Sequence, residues 1–519
     1  MSKNMQTRLK MMSLSVIMAL GVSTAQAGER EEMETLRQTT LNLIQILVQQ
    51  GVLTQEKADQ LIQQAEVKAQ ETVAAQKKAD AGVVRVQYVP ESVRKQIADQ
   101  VREEVVAQAK VERWGDANAI PEWVDRLKWE GDIRLRYQSE MFQDGNAPEQ
   151  VFNSFGQNTS NTTQDNDLFR LRARLGLNAK ITPAISAGIR LATGNLSNPV
   201  STNQTLGQNG NKYSFVLDRA FVKAHSEETL PWLTVSAGRI PNPWFSTDLV
   251  WDDDLNFEGG ALHIDPNAQS SKQLRPFATL GAFPLQAIEQ STSVSANDKW
   301  LFGAQTGVEW VKDTNNRAKI GLAYYHYKDI RGQQSAASSP GQYDLTASGS
   351  RQKGNSLFDI TPLAPDFLWG LASDYRLLNL TAMADLNVYD PVHVTLTGDY
   401  VKNIGFDRNE VVARTGDLGY EPGSNGYMAR IAVGMPTMLL KNDWQVSLAY
   451  RYLESDAVLD AFTDSDFHLG GTNNKGFILG AQYGLDKNTW LSARWLSSNE
   501  ISGLPLAIDV FQFDFNAKF

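Results

Sequence analysis

The sequence predicts an all-β transmembrane barrel, antiparallel and of about sixteen strands, preceded by a periplasmic α-helical segment. Three observations carry that expectation. A two-residue hydrophobic alternation begins at Trp129 and persists to the last residue, long and short connections exchange regularly between the alternating segments, and four phenylalanines share one face of the final segment.

The alternation is clearest where apolar and polar residues interleave without interruption. Phe169, Leu171, Ala173, Leu175 and Leu177 alternate with Arg170, Arg172 and Arg174; Trp444, Val446, Leu448, Tyr450 and Tyr452 alternate with Gln445, Ser447, Ala449 and Arg451. Successive strand side chains point to opposite faces, so each segment has one apolar and one polar face. A soluble sandwich would share this pattern, and the connections separate the two. Long ones fall near residues 141–167, 195–213, 240–257, 284–299, 328–376, 402–427, 454–475 and 497–507. Tight links lie between them at Lys180–Pro183, Asp313–Arg317, Tyr389–Pro391 and Asp486–Asn488. Outer-membrane barrels have short periplasmic turns and long external loops, whereas sandwiches have no reason to alternate strictly. Phe511, Phe513, Phe515 and Phe519 then fit a lipid-facing strand and an assembly signal, because a soluble protein exposing them would aggregate. Outer-membrane lipid and the barrel-assembly machinery are the partners this implies.

Lys3, Arg8 and Lys10, the apolar run Met11–Val22 and the small residues Ala25-Gln26-Ala27 read as a signal peptide over residues 1–27. Nowhere after it is there an apolar run of about 18 residues, the length a membrane-spanning helix needs. Removing the signal takes away three basic residues and no acidic one, so 49 basic against 59 acidic residues become 46 against 59, a net charge of −13. An acidic chain without a basic face is a poor partner for nucleic acid. The absence of cysteine excludes disulfides, thiolate metal sites and a lipidated cysteine.

Residues 28–120 form a separate zone, expected to be a periplasmic helical or coiled-coil leader ahead of a barrel over 121–519. Leu36, Leu43, Ile44, Leu47 and Val48 keep helical spacing; Gly51 stops that helix, and Thr54 caps a second carrying Ala58, Leu61, Ile62 and Ala65. A third runs from Glu91 to Lys110 with Val93, Ile97, Val101 and Val105 along one stripe. Such a leader can be a self-packing spacer, an oligomerising coiled coil that supports a homotrimer, or a cell-wall contact.

Arginine on the lipid face near the bilayer midplane costs roughly 2–4 kcal/mol, so Arg170, Arg172 and Arg174 must face the lumen. Arg134, Arg136 and Arg190 join them by parity, with Arg219 and Arg239 added from neighbouring segments. This basic wall would raise local anion concentration in a water-filled pore. The loop Pro241–Asn256 carries Asp248, Asp252, Asp253 and Asp254; it either folds into the lumen opposite the arginines as a constriction or stays external. Lys328–Tyr375 mixes Ser, Gly and Gln with Leu357, Phe358, Phe367, Leu368 and Trp369, and is too apolar for a solvated flap. It plugs or narrows the pore, or packs on a neighbouring subunit.

Several stretches resemble a family of Gram-negative outer-membrane porins whose barrels follow a helical leader. They are Glu34–Glu66, with Leu36-Arg37-Gln38 and Gly51-Val52-Leu53-Thr54; Val84–Trp114; Pro121–Arg136, with Trp129-Glu130-Gly131-Asp132 and Arg134-Leu135-Arg136; and Gly238-Arg239-Ile240-Pro241-Asn242-Pro243. The resemblance implies a channel for small solutes, anions among them, in the cell outer membrane. No enzyme is expected: the five histidines are dispersed, and neither a nucleophile elbow nor a phosphate-cradling loop is present, so no catalytic, metal or cofactor site is assigned. The competing class is an occluded barrel that links envelope layers as an attachment protein, which would conduct no ions.

Overall fold

A computed structural model describes residue 124 and residues 126–519, apart from 267–271, 314, 362–366 and 422. The signal peptide and the helical leader expected over residues 1–120 lie outside the described residues.

Sixteen antiparallel strands form the wall. They are β1 (Leu127–Phe142), β2 (Asn166–Lys180), β3 (Ile185–Ala192), β4 (Val216–Ser226), β5 (Leu230–Pro241), β6 (Asn256–Ile264), β7 (Leu274–Gln286), β8 (Lys299–Val311), β9 (Asn316–Lys328), β10 (Arg376–Tyr389), β11 (Val392–Asn403), β12 (Asn425–Gly434), β13 (Trp444–Leu453), β14 (Asn474–Asp486), β15 (Thr489–Glu500) and β16 (Ala507–Lys518). Each pairs with its neighbour in sequence, and β1 closes on β16 in the register Arg136↔Asp514. The barrel leaves no edge strand to recruit another chain. The expected barrel of about sixteen strands is therefore the observed fold, and no described helix is long and apolar enough to cross a membrane.

The two faces of each strand follow the sequence alternation. On β16, Val510, Gln512, Asp514 and Asn516 are buried on the lumen side, while Phe513 and Phe515 are 42% and 38% exposed on the other. Phe519 extends this outer face. Its backbone N–H donates to the Gly131 carbonyl at 3.0 Å and its carbonyl accepts from the Gly131 N–H at 2.9 Å, continuing the closing seam onto β1. Glycine at 131 leaves room for the terminal ring, since a Cβ there would lie 2.4 Å from it.

Three long connections fold into the barrel instead of standing above it. Residues 242–255 bring Trp244, Leu249, Val250 and Trp251 into an interior apolar cluster with Phe283 and Leu301 of β7 and β8 and Tyr325 of β9. Trp251 meets Tyr325 edge-on at 5.1 Å, and Trp244 meets it at 5.2 Å. Residues 454–473 lie against this loop: the Asp252 N–H donates to the Phe462 carbonyl at 2.9 Å, and the Thr463 hydroxyl to the Leu249 carbonyl at 2.9 Å. Residues 329–375 contribute Ile330, Leu357, Leu371 and Tyr375 to the same cluster, which accounts for the apolar content of that segment. Asp456 ties these connections together by accepting from Tyr375 and Tyr420 hydroxyls at 2.7 and 2.6 Å and from the Ser356 N–H at 3.0 Å.

Removing Phe519 deletes two backbone hydrogen bonds of the closing seam. The expected cost is about 1–3 kcal/mol of barrel stability, read by urea unfolding of the folded protein in detergent.

Candidate functional site

The interior is divided. Loop aromatics fill the side next to β6–β9, and charged side chains occupy the side formed by β12–β16 and β1–β3. A cleft of about 370 Å³ lies between them, lined by five arginines (134, 136, 172, 430 and 494) and seven aspartates (248, 252, 253, 254, 464, 466 and 514).

The arginine side follows from strand register. Arg134 stands directly opposite Arg172, and Arg136 opposite Arg170, across the β1–β2 ladder. Like charges directly opposite each other destabilise a sheet, so this wall needs counter-ions. Arg136 receives the fullest set: Nε and Nη2 donate to the two Asp514 oxygens at 2.7 and 3.0 Å, and Nη1 donates to Asp466 at 3.1 Å. Arg172 and Arg174 share Asp132 at 3.0 and 2.7 Å, and Arg174 also reaches Asp254 at 3.0 Å. Arg170 stands 3.9 Å from Glu140, and Arg190 pairs with Asp218.

Arg219 enters by a different device. Arg190 pairs with Arg219 and Leu191 with Leu217, so a bulge at Asp218 turns both Asp218 and Arg219 toward the interior, where Arg219 donates to Asn256 at 2.6 Å. Arg239 lies apart from this wall. It alternates with buried Ile240 on β5 and pairs at 2.6 Å with Glu258, whose side chain is 62% exposed.

The acidic side comes from the two inward loops. Asp254 accepts from the Thr202 N–H and hydroxyl at 3.1 and 2.9 Å as well as from Arg174. Asp252 accepts from the Ser465 N–H at 2.9 Å and joins the loops without an arginine of its own. Asp248 and Asp253 make no side-chain hydrogen bond or ion pair among the described residues, and the same holds for Arg430, exposed on the lumen face of β12. The loop 242–255 thus takes the inward course of the two open to it.

The carboxylates divide by environment. Burial works to raise Asp466, but Arg136, Arg494 and Arg134 outweigh it and hold the group well below the usual carboxylate range. Asp254 is likewise lowered, with Arg172 and Arg174 overcoming burial. Asp464 is pushed up to about 6 by burial and by Asp248, despite Arg451 at 3.1 Å. Burial and neighbouring aspartates raise Asp252 and Asp253, and burial raises Asp248.

Arg430, Arg451 and Arg494, and the acids Asp464 and Asp466, belong to this region without having been singled out in the sequence. Lumen parity carries the three arginines, since each alternates with lipid-facing residues, Ile431, Tyr450 and Trp495 among them. The two aspartates carry no local signal, because a loop has no periodicity that tells inward from outward.

A model of the family described as Putative porin matches residues 37–519. The chain belongs to that family. This porin is an outer-membrane channel protein, as its closed barrel and the lipid-facing apolar band around it accord with. Among solved structures it is similar to a loop L8 deletion mutant of OmpT from Vibrio cholerae, at 10% identity over 76% of this chain and 100% of that one, with a TM-score of 0.40. OmpF of Salmonella typhi, in complex with daunomycin, matches at 12% identity over 76% and 97%, with a TM-score of 0.40. The outer membrane channel DcaP of Acinetobacter baumannii matches at 12% over 76% and 97%, with 0.39. No curated protein matches. At these similarities nothing about solute or assembly passes from those proteins to this porin.

Replacing Arg136 with alanine leaves Asp514 buried without its ion-pair partner and Asp466 paired with Arg494 alone. Breaking such a pair costs roughly 3–5 kcal/mol, and urea unfolding of the variant is expected to show a loss of that order.

Proposed function

We propose that this porin passes small hydrophilic solutes by passive diffusion through the charged cleft, with an anion bias that is weak at neutral pH and stronger in acid. The carrying observation is the cleft itself, with strand-borne arginines on one side and loop aspartates on the other. Charge of opposite sign across a narrow passage produces a transverse field that orients and selects permeating solutes. The bias is set by what pairing leaves over. Arg430 makes no ion pair and Arg134 donates only to a neutral partner, Asn203, at 2.5 Å; both favour an anion. Asp248 and Asp253 oppose them while ionised.

The direction with pH follows from the raised carboxylates. Asp464, pushed up to about 6, and Asp252, Asp253 and Asp248, all raised, take up protons earlier on acidification than ordinary carboxylates do, while the arginines keep their charge. Negative charge leaves one side of the cleft only, so anion preference grows. No catalytic role is assigned to any of these groups. Residues 28–120 are proposed as a periplasmic leader, with self-association into a homotrimer or contact with the cell wall as its work, and Phe511, Phe513, Phe515 and Phe519 as the mark read during assembly.

A second reading has its own support. The apolar cluster contributed by residues 242–255, 329–375 and 454–473 occupies much of the interior, as an occluded attachment barrel would require.

Reversal potentials of the refolded protein in a planar bilayer under a salt gradient test the proposal. Open steps are expected, with the anion-to-cation permeability ratio rising about twofold or more between pH 7 and pH 5. Replacing Arg170, Arg172 and Arg174 together with alanine is expected to lower that ratio at both pH values. An unchanged ratio in the triple variant contradicts the arginine wall, and a folded barrel without conductance favours the attachment reading.

A further inference from the structure

A second cavity reaches the barrel wall beside the charged cleft and shares no lining residue with it. The β6–β7 ladder pairs only Gly260–Ile264 with Ala278–Ala282, although β6 continues to Asn256 and β7 to Gln286. Two prolines flank this stretch. Pro276 and Pro284 bracket the paired stretch of β7, while the ladder from β7 to β8 runs through both of them, so the missing N–H groups fall on the β6 side. Gly259 marks where the seam parts. Its φ is +133°, and a Cβ there would lie 2.3 Å from the Ala282 carbonyl oxygen, so β6 touches β7 at this point and diverges above it. The neighbouring β4–β5 ladder also stops early, at Ala220↔Arg239, leaving Val216–Arg219 unpaired on that side.

A cavity of about 760 Å³ occupies the parted seam. Residues from both faces of the wall line it: Phe257, Phe283 and Leu301 from the inside, and Leu217 and Glu258 from the outside. Its outer end lies level with an aromatic belt, because Pro284 is paired with Trp300, and Trp300 stacks on the exposed Phe302 at 5.8 Å. Aromatic girdles mark the membrane interface of such barrels. Hydroxyl and amide groups of Ser197, Asn198, Ser348 and Ser350 form its extracellular side. The charges near it are already matched, Arg239 with Glu258 and Asp218 with Arg190 and Asn256.

From this geometry we infer that the parted β6–β7 seam is a lateral port for an uncharged single-chain amphiphile, its apolar chain against Leu217, Phe257 and Phe283 and its hydroxylated head against the serines. The volume is in the range of small-molecule sites, and an apolar wall with a few polar groups at one end is the composition such sites have. Paired charges leave no net attraction for an ion, which is why the head is uncharged. The position at the interface supplies the route, since an amphiphile partitioned in the outer leaflet meets the port with its chain already in the apolar layer. This site is independent of ion conduction through the charged cleft.

The test uses the full-length mature protein in nanodiscs and octyl glucoside below its micellar concentration. Saturable binding above that of empty discs is expected, with a loss of at least about tenfold in affinity in both Leu217→Trp and Leu285→Trp, each of which fills the cavity from a residue that lines it, while single-channel conductance is unchanged. Binding that does not saturate, or that persists in both filled variants, overturns the port. A measurement on the unaltered protein guards against variants that fold poorly: photolabelling with a diazirine-bearing octyl glucoside is expected to mark residues 196–217 and 255–285. Labels spread evenly around the outer face, or absent from those segments because a second copy of the chain covers them, overturn it as well.

Discussion

The structure depends on one electrostatic constraint, that arginines set opposite each other on a sheet facing the barrel interior must be given counter-ions. Arg134 against Arg172 and Arg136 against Arg170 are adjacent by register, and the lipid on the other side of the wall leaves them nowhere else to point. Strand acids answer part of the demand: Asp132 and Asp514 sit on the same faces. The rest comes from loops, and a loop that supplies Asp466 or Asp254 to the wall has to come inside. The apolar cluster beneath them is the complement of that arrangement. Once residues 242–255 and 454–473 enter the barrel, Trp244, Trp251 and Leu459 leave water together, and the charged cleft lies beside them.

This explains why a basic wall does not mean a basic pore. Arg136 is almost wholly buried between two carboxylates and is a structural member more than a free charge. What pairing leaves over is a few unmatched groups, together with buried carboxylates whose proton affinity is raised.

Much of this was legible in sequence. Strict alternation, with long connections on one side and tight ones on the other, specified the barrel, because lipid and water impose a two-residue period that tertiary packing rarely overrides. The predicted links at Asp313–Arg317 and Asp486–Asn488 fall on the observed turns between β8 and β9 and between β14 and β15. Parity also placed Arg134, Arg136, Arg170, Arg172, Arg174 and Arg190 on the interior face. It becomes less direct where backbone geometry departs from a plain strand: the bulge at Asp218 brings Arg219 inward. Arg239, expected on the lumen face, instead shares its face with Val235 and Ala237. The course of the inward loops was not legible, since their positions depend on partners more than two hundred residues away, as in the bond from Ser465 to Asp252. Nor was the parted seam, although Pro276 and Pro284 were its visible trace.

The most direct measurement is a double-mutant cycle between Arg136 and Asp466, with Arg136→Gln and Asp466→Asn singly and together, read by single-channel conductance and by urea unfolding. If the wall holds the loop inside the barrel, each single change disturbs both readouts and the double variant falls well short of the sum of the two. Additive effects would mean that the loop is held by its own packing, and that the arginine wall does not organise the lumen.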